Sequence, residues 1–228
     1  MITLYELAGA DAERRFSPYC WRIRMALLHK GLEFSSVPWR FTEKQAIAFA
    51  GSEKVPVLTD GDRTVHDSPK IAAYLEAAYP DRPSLFGGAE ALSRFLVDWT
   101  DLVLQPGLFR MVVVDIPPLL APEDVDYFCS SREARVGMKL DQFCADREKK
   151  LVEFRASLAP LRRTLGAQPF LHGEAPAWAD YVVFGGFQWS RCVSPLKLLE
   201  ADDPIHGWRE RMLDLFGGEA RKAVGYPV

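Results

Sequence analysis

The chain lacks most of what would direct it to nucleic acid, metal or membrane. Its 28 lysines and arginines face 31 acidic residues, for a formal charge of −3. The basic residues cluster only as doublets, Arg14-Arg15, Lys149-Lys150 and Arg162-Arg163. Such doublets are ordinary solvated helix faces, so no polyanionic partner is expected. None of the four cysteines, Cys20, Cys129, Cys144 and Cys192, forms a Cys-x-x-Cys pair. A zinc ribbon or a dithiol redox centre is therefore not expected, and neither is a bound metal. No run of about 18 apolar residues suggests a membrane span. Met1 to Glu6 has no basic region followed by an apolar stretch, so no secretory signal is read there. A reducing, cytoplasmic setting is the expectation. What is present is an ordinary globular composition, 48% hydrophobic and 26% charged over 228 residues. That is enough for one large domain or two small ones with a sizeable core.

The first 80 residues read as a mixed β/α unit. Ile2 to Leu7 is a strand by composition, and Ser17-Pro18 opens a helix that runs to about Lys30. Gly31 stands where a left-handed cap belongs. Glu33 to Val37 is a second strand ended by Pro38, and 40–51 is a connection with room for a short helix. Val55 to Thr59 and Arg63 to His66 flank the turn Asp60-Gly61-Asp62 as a hairpin. Asp67-Ser68-Pro69 starts another helix, ending near Tyr79-Pro80. Residues 81–88 have turn chemistry and no periodicity, as in a linker. From 89 to 228 the spacing is helical, with helices expected near 89–115, 123–143, 145–166, 178–192 and 204–216. The expected fold is thus a small α/β domain, 1–80, followed by an all-α domain, 89–228.

Three short stretches in the first domain carry chemistry. Ser17 caps a helix whose first turn offers unpaired N–H groups and the positive end of the macrodipole, a setting that favours a thiolate. A cysteine at position 17 would itself be the activated thiol. Serine keeps the geometry and supplies only a hydroxyl, which implies a thiolate brought in from outside. Cys20 lies one turn further in, on the arc of Ile23 and Leu27, where packing is expected. Pro56 opens the third strand and cannot donate to the ladder. A cis bond before it would turn the Val55 amide and carbonyl toward an extended, peptide-like ligand. Asp67-Ser68, at the next helix start, suits a carboxylate. Arg24 falls inside the apolar arc of its helix, so an acidic structural partner is expected.

Taken in order, Ser17-Pro18-Tyr19, Lys54-Val55-Pro56 and His66-Asp67-Ser68, followed by Phe170 to Asp180, resemble the cytosolic glutathione transferases. The resemblance covers the whole chain and implies a thioredoxin-like N-terminal domain, a linker at 81–88 and an all-helical C-terminal domain. It implies glutathione as co-substrate. Ser17 would donate to its sulfur, Val55 beside Pro56 would pair with its cysteinyl backbone, and Asp67 and Ser68 would hold its γ-glutamyl end. Lys54, Arg40 and Lys44 would serve a ligand carboxylate. One departure is Ala177, where the family usually has Ser or Thr before Ala-Asp; the lost cap would cost about 1 kcal/mol unless another group replaces it.

Ser17-Pro18-Tyr19-Cys20-Trp21-Arg22 with His29-Lys30-Gly31 resembles the serine-type branch related to bacterial β-aryl etherases and their fungal relatives. That implies attack of the glutathione thiolate on a hydrophobic, aromatic electrophile, including β-aryl ethers that lose a phenolate, and a role in detoxification. The electrophile is expected beside the sulfur, lined by Tyr19, Trp39 and Phe41 from the first domain and Phe109, Met111 and Val112 from the second. A homodimer is expected by the same resemblance. Two other readings remain open. One is a non-catalytic glutathione-binding or structural module; the other is a glutathione-dependent thiol oxidoreductase using Cys20.

Overall fold

The computed structural model describes residues 1–227. Four strands, β1 (Ile2–Leu7), β2 (Phe34–Trp39), β3 (Val57–Asp60) and β4 (Arg63–His66), form one sheet in the order β2-β1-β3-β4. β1 pairs parallel with β2 and antiparallel with β3, and β3 pairs antiparallel with β4. Helices α1 (Pro18–His29) and α2 (Ser68–Ala78) complete this mixed unit, with a 3₁₀ segment at Lys44–Ala50. Pro38 does not end β2, as the sequence suggested; it lies inside the strand opposite Glu6. β2 is an edge strand, so the missing N–H costs no ladder bond.

Ten helices are described in all, eight of them after the linker: α3 (Glu90–Trp99), α4 (Gln105–Val112), α5 (Pro122–Val136), α6 (Leu140–Cys144), α7 (Arg147–Ser157), α8 (Ala159–Ala167), α9 (Trp178–Val193) and α10 (Pro204–Lys222). The three spans expected before 166 are broken or shortened, while α9 and α10 reach or pass their expected ends. The expected helix at 89–115 is divided by a π-helical segment, Thr100–Leu104, just before Pro106. Pro106 has no N–H for the carbonyl four residues back, so the ladder is re-registered there. Gly137, at φ 76°, stops α5. α10 runs past 216 to Lys222 through a kink at 215–218, where Phe216 and two glycines are left-handed.

α9 is buried on every side except at Arg191, which makes it the axis of the helical domain. A Cβ on Gly185 would collide with the Pro18 carbonyl, and one on Gly186 would stand 2.7 Å from Leu108 Cδ1. These two glycines let α9 lie against the start of α1 and against α4. The linker is clamped from the end of α1. Lys30, 1% exposed, donates to the Tyr79 and Pro83 carbonyls, both at 3.2 Å, and pairs with Glu76 at 2.8 Å. His29 lies 3.0 Å from the Ser84 carbonyl and 2.6 Å from the Tyr181 hydroxyl. A carbonyl only accepts, so His29 Nε2 carries the proton and Nδ1 accepts from Tyr181.

The Ala177 departure is compensated in part. Alanine offers no cap, but the Asp180 carboxylate accepts the Ala177 N–H at 3.2 Å, the Leu171 and His172 N–H groups at 2.7 and 3.2 Å, and the Trp208 indole N–H at 2.9 Å. Burial pushes the Asp180 carboxyl up, and these four donors oppose that shift.

Candidate active site

The sequence predicts a cap at Ser17, and its Oγ accepts the Cys20 N–H at 3.3 Å. The hydroxyl proton is not used by that bond. Ser17 is buried, at 4% exposure. Tyr19, the next side chain but one, is 38% exposed. The Arg22 guanidinium lies 4.6 Å from its ring centre and pairs beneath it with Asp101, at 2.5 Å. Burial first, and then the Asp101 charge, raises the Tyr19 phenol above its usual value; Arg22 and Arg135 pull it down and Asp67 adds to the rise. Charges from α1, the π-helical segment, α5 and the β4–α2 junction therefore all act on the Tyr19 phenol.

Asp67 caps α2, accepting the Lys70 N–H at 3.4 Å, with φ 77° and ψ 123°. That is a sparsely populated backbone region costing about 1–3 kcal/mol, of the kind that persists at ligand sites. Ser68 is buried beside it. The Val55–Pro56 bond is cis. Lys54, just before that bond in the chain, is exposed. Lys44 is paired with Glu53 at 3.0 Å. Arg40 is largely committed to the fold: it donates to the Gly9 and Ala10 carbonyls and pairs with Glu43.

The proposed electrophile wall divides in two. Trp39, Met111 and Val112 are 3%, 1% and 0% exposed and belong to the core. Phe41, 8% exposed, packs among Phe16, Trp39, Tyr127 and Phe128. Apolar residues at helical or strand spacing fill cores before they line pockets, which is why four of the six lie inside. Tyr19 and the half-buried Phe109 keep free surface.

Cys20 is 1% exposed, and burial pushes its thiol up to about 12, with Glu6 adding to the rise. It is inert as a nucleophile at neutral pH. Arg24 has the acidic partner the sequence called for, Glu6 at 2.5 Å, together with Glu219 at 2.9 Å. Sequence reading missed the pair of the buried Arg22 with the partly exposed Asp101, and it missed Arg132 and Arg135 on α5. A signal for the last two was present: neither has an acidic residue three or four positions away.

A sheet in this order, followed by a helical domain packed on α1, with a capped helix start beside the contact with α9, defines the transferase fold built on a thioredoxin-like unit. Family models for the glutathione S-transferase N-terminal and C-terminal domains match residues 16–78 and 91–214. The chain belongs to the glutathione S-transferase family and is a glutathione transferase. Among solved structures it resembles the glutathione transferase GSTFuA3 of Phanerochaete chrysosporium, 25% identical, with a TM-score of 0.76 over 97% of this chain and 93% of that one. A Ceriporiopsis subvermispora enzyme solved in complex with glutathione is 21% identical, with a TM-score of 0.74 over 97% and 94%. Glutathione S-transferase U22 of Arabidopsis thaliana is 22% identical over 179 residues, 76% of this chain and 69% of that protein.

Proposed function

We propose that the protein is a serine-type glutathione transferase in which Ser17 donates a hydrogen bond to the sulfur of bound glutathione and holds it as the thiolate. Val55, Asp67, Ser68 and Lys54 bind the tripeptide, with Lys44 within the same rim and Arg40 shaping the loop beneath it. The thiolate attacks an aromatic electrophile lying against Tyr19 and Phe109. A carbon–sulfur bond forms and the leaving group, a halide or a phenolate from an aryl ether, departs with the bonding electrons. The observation that carries this reading is the Ser17 cap at the start of α1, where the hydroxyl accepts the Cys20 N–H in a bond that does not use its own proton.

Lowering a thiol from its usual value near 8.5 by about two units needs roughly 2.7 kcal/mol. One hydrogen bond to a charged group contributes about 1.5–3 kcal/mol and a helix terminus about 0.3–1 kcal/mol, which together suffice. The buried, unreactive Cys20 argues against the thiol oxidoreductase reading. The resemblance of Ser17 to Arg22 to the etherase-related branch supports aryl ethers as substrates. Within that stretch, however, Trp21 is core and donates to the Arg15 carbonyl at 2.9 Å. In the His29-Lys30-Gly31 stretch, His29 and Lys30 hold the linker. A cytoplasmic location and a detoxifying role follow from the same reading.

The decisive experiment is a pH titration of protein-bound glutathione by ultraviolet thiolate absorbance, in wild type and Ser17→Ala. A lowered bound pKa that rises in Ser17→Ala is the expected result. No saturable glutathione binding overturns the enzyme reading. A lowered pKa indifferent to Ser17 would assign thiolate stabilisation to the backbone N–H groups at Tyr19 and Cys20.

A further inference from the structure

The cleft carries positive charge that the transfer chemistry does not require. Arg135 lies 4.1 Å from the Phe109 ring centre, on the electrophile side, and its charge reaches the Tyr19 phenol. One turn earlier Arg132 stacks on Phe128 at 4.5 Å and on Phe41 at 4.8 Å. Neither arginine has a carboxylate within ion-pair distance among the described residues. Two of the α5 acids are occupied elsewhere: Glu133 pairs with Lys139 at 2.7 Å and Asp124 accepts the Thr42 N–H at 2.9 Å. Arg132 is half-buried, and burial lowers its pKa, with Arg135 adding to that effect. Arg132 gives one N–H to the Ser131 hydroxyl at 2.7 Å, and Arg135 has no ion-pair partner among the described residues; two guanidiniums without a carboxylate, stacked on aromatic rings, offer donors for an anion next to a surface for an aromatic ring.

We infer that the electrophile is an anionic aromatic compound, its ring seated against Tyr19 and Phe109 and its carboxylate or phenolate held by Arg135 and Arg132. This rests on the transferase reading above and names the substrate class of the same site. The glycyl carboxylate of glutathione has the same chemistry, and the test separates the two sources.

A nitrobenzoate and its neutral carboxamide, neither carrying a leaving group, are titrated by calorimetry into wild type and R132Q/R135Q, with glutathione titrated separately. The expected result is about tenfold tighter binding of the benzoate by wild type, the range for one charge-assisted contact. The double variant should abolish that preference and leave glutathione binding within about twofold. Equal binding of the two compounds by wild type, or a preference that survives the double substitution, overturns the inference. So does a loss confined to glutathione, which would give the arginines to the tripeptide. Binding needs no thiolate, so these outcomes stand whether or not the thiolate titration supports the transferase reading. In turnover, a chlorodinitrobenzoate should be preferred over its carboxamide by a similar ratio, and high salt should erode it.

Discussion

At the residue scale, the site depends on which polar groups the fold leaves unspent. Ser17 gives a lone pair to the Cys20 N–H in a bond that does not use its proton; Arg40 keeps little for a ligand. The thiols follow the same logic. Cys20 and Cys192 are buried, and each is pushed up to about 12, chiefly by burial. In native protein a maleimide should label Cys129, which is half-buried, before either of them, and mass spectrometry of the modified chain checks the order. Labelling of Cys20 at native pH would contradict its burial. Asp180 is the largest single polar commitment in the helical domain, accepting four N–H groups with no exposure. Asp180→Ala should destabilise by about 3 kcal/mol, since it leaves several buried donors unpaired. Asp180→Asn should cost less. Chemical denaturation measures both.

At the element scale, the contact of α9 with α1 sets the position of the Ser17 cap. Gly185→Ala puts a methyl group into the Pro18 carbonyl, a backbone atom that cannot swing away. It should cost about 1–3 kcal/mol and weaken glutathione binding, because the cap must shift. Gly186→Ala meets a flexible leucine and should cost less; thermal melting and glutathione titration rank the two. His29 ties α1 to the linker and to α9 as a neutral ring, and burial lowers its pKa. Its folded pKa lies below the unfolded value of about 6.5, so the unfolded chain binds the extra proton first. Stability should be flat above that value and fall as pH drops through the window down to the folded pKa. His29→Gln should remove that slope, as followed by denaturation at successive pH values.

At the scale of the whole molecule, the Arg22–Asp101 pair crosses from the first domain to the second, with the arginine side chain fully buried and the aspartate about one third exposed. Removing the aspartate strands the arginine, so Asp101→Asn should cost about 2–3 kcal/mol after allowing for that exposure. It should also lower affinity for the electrophile through Tyr19. Leu92, Phe95, Leu102 and Val103 form one exposed apolar stripe along α3 and the π-helical segment, and Phe49 is also exposed. The homodimer that the family resemblance implies would cover it with a second copy of the chain. Light scattering should show a dimer, and F95E/L102K a monomer; a wild-type monomer would refute the proposal.

The order of elements was legible in the sequence because each signal is local. Ser17-Pro18, Asp67-Ser68-Pro69, Gly31 and Asp60-Gly61 fix helix starts, a cap and a turn through the chain's own dihedral and hydrogen-bond preferences. The partner for Arg24 was also legible, as a buried charge needs one. Whether an apolar residue lines a pocket or fills a core was not, and Trp39, Met111 and Val112 went inside. Helix length was not legible either, because apolar periodicity continues across Leu158 and the π-helical segment while the hydrogen-bond ladder changes there. Arg132, Arg135, Arg22 and Asp101 reach the cleft from elements up to 113 positions apart, judging by Arg22 and Arg135. The sequence by itself determined the family and the cap at Ser17. Only the tertiary structure decided which charges are compensated, because compensation depends on distances between elements that no local preference encodes.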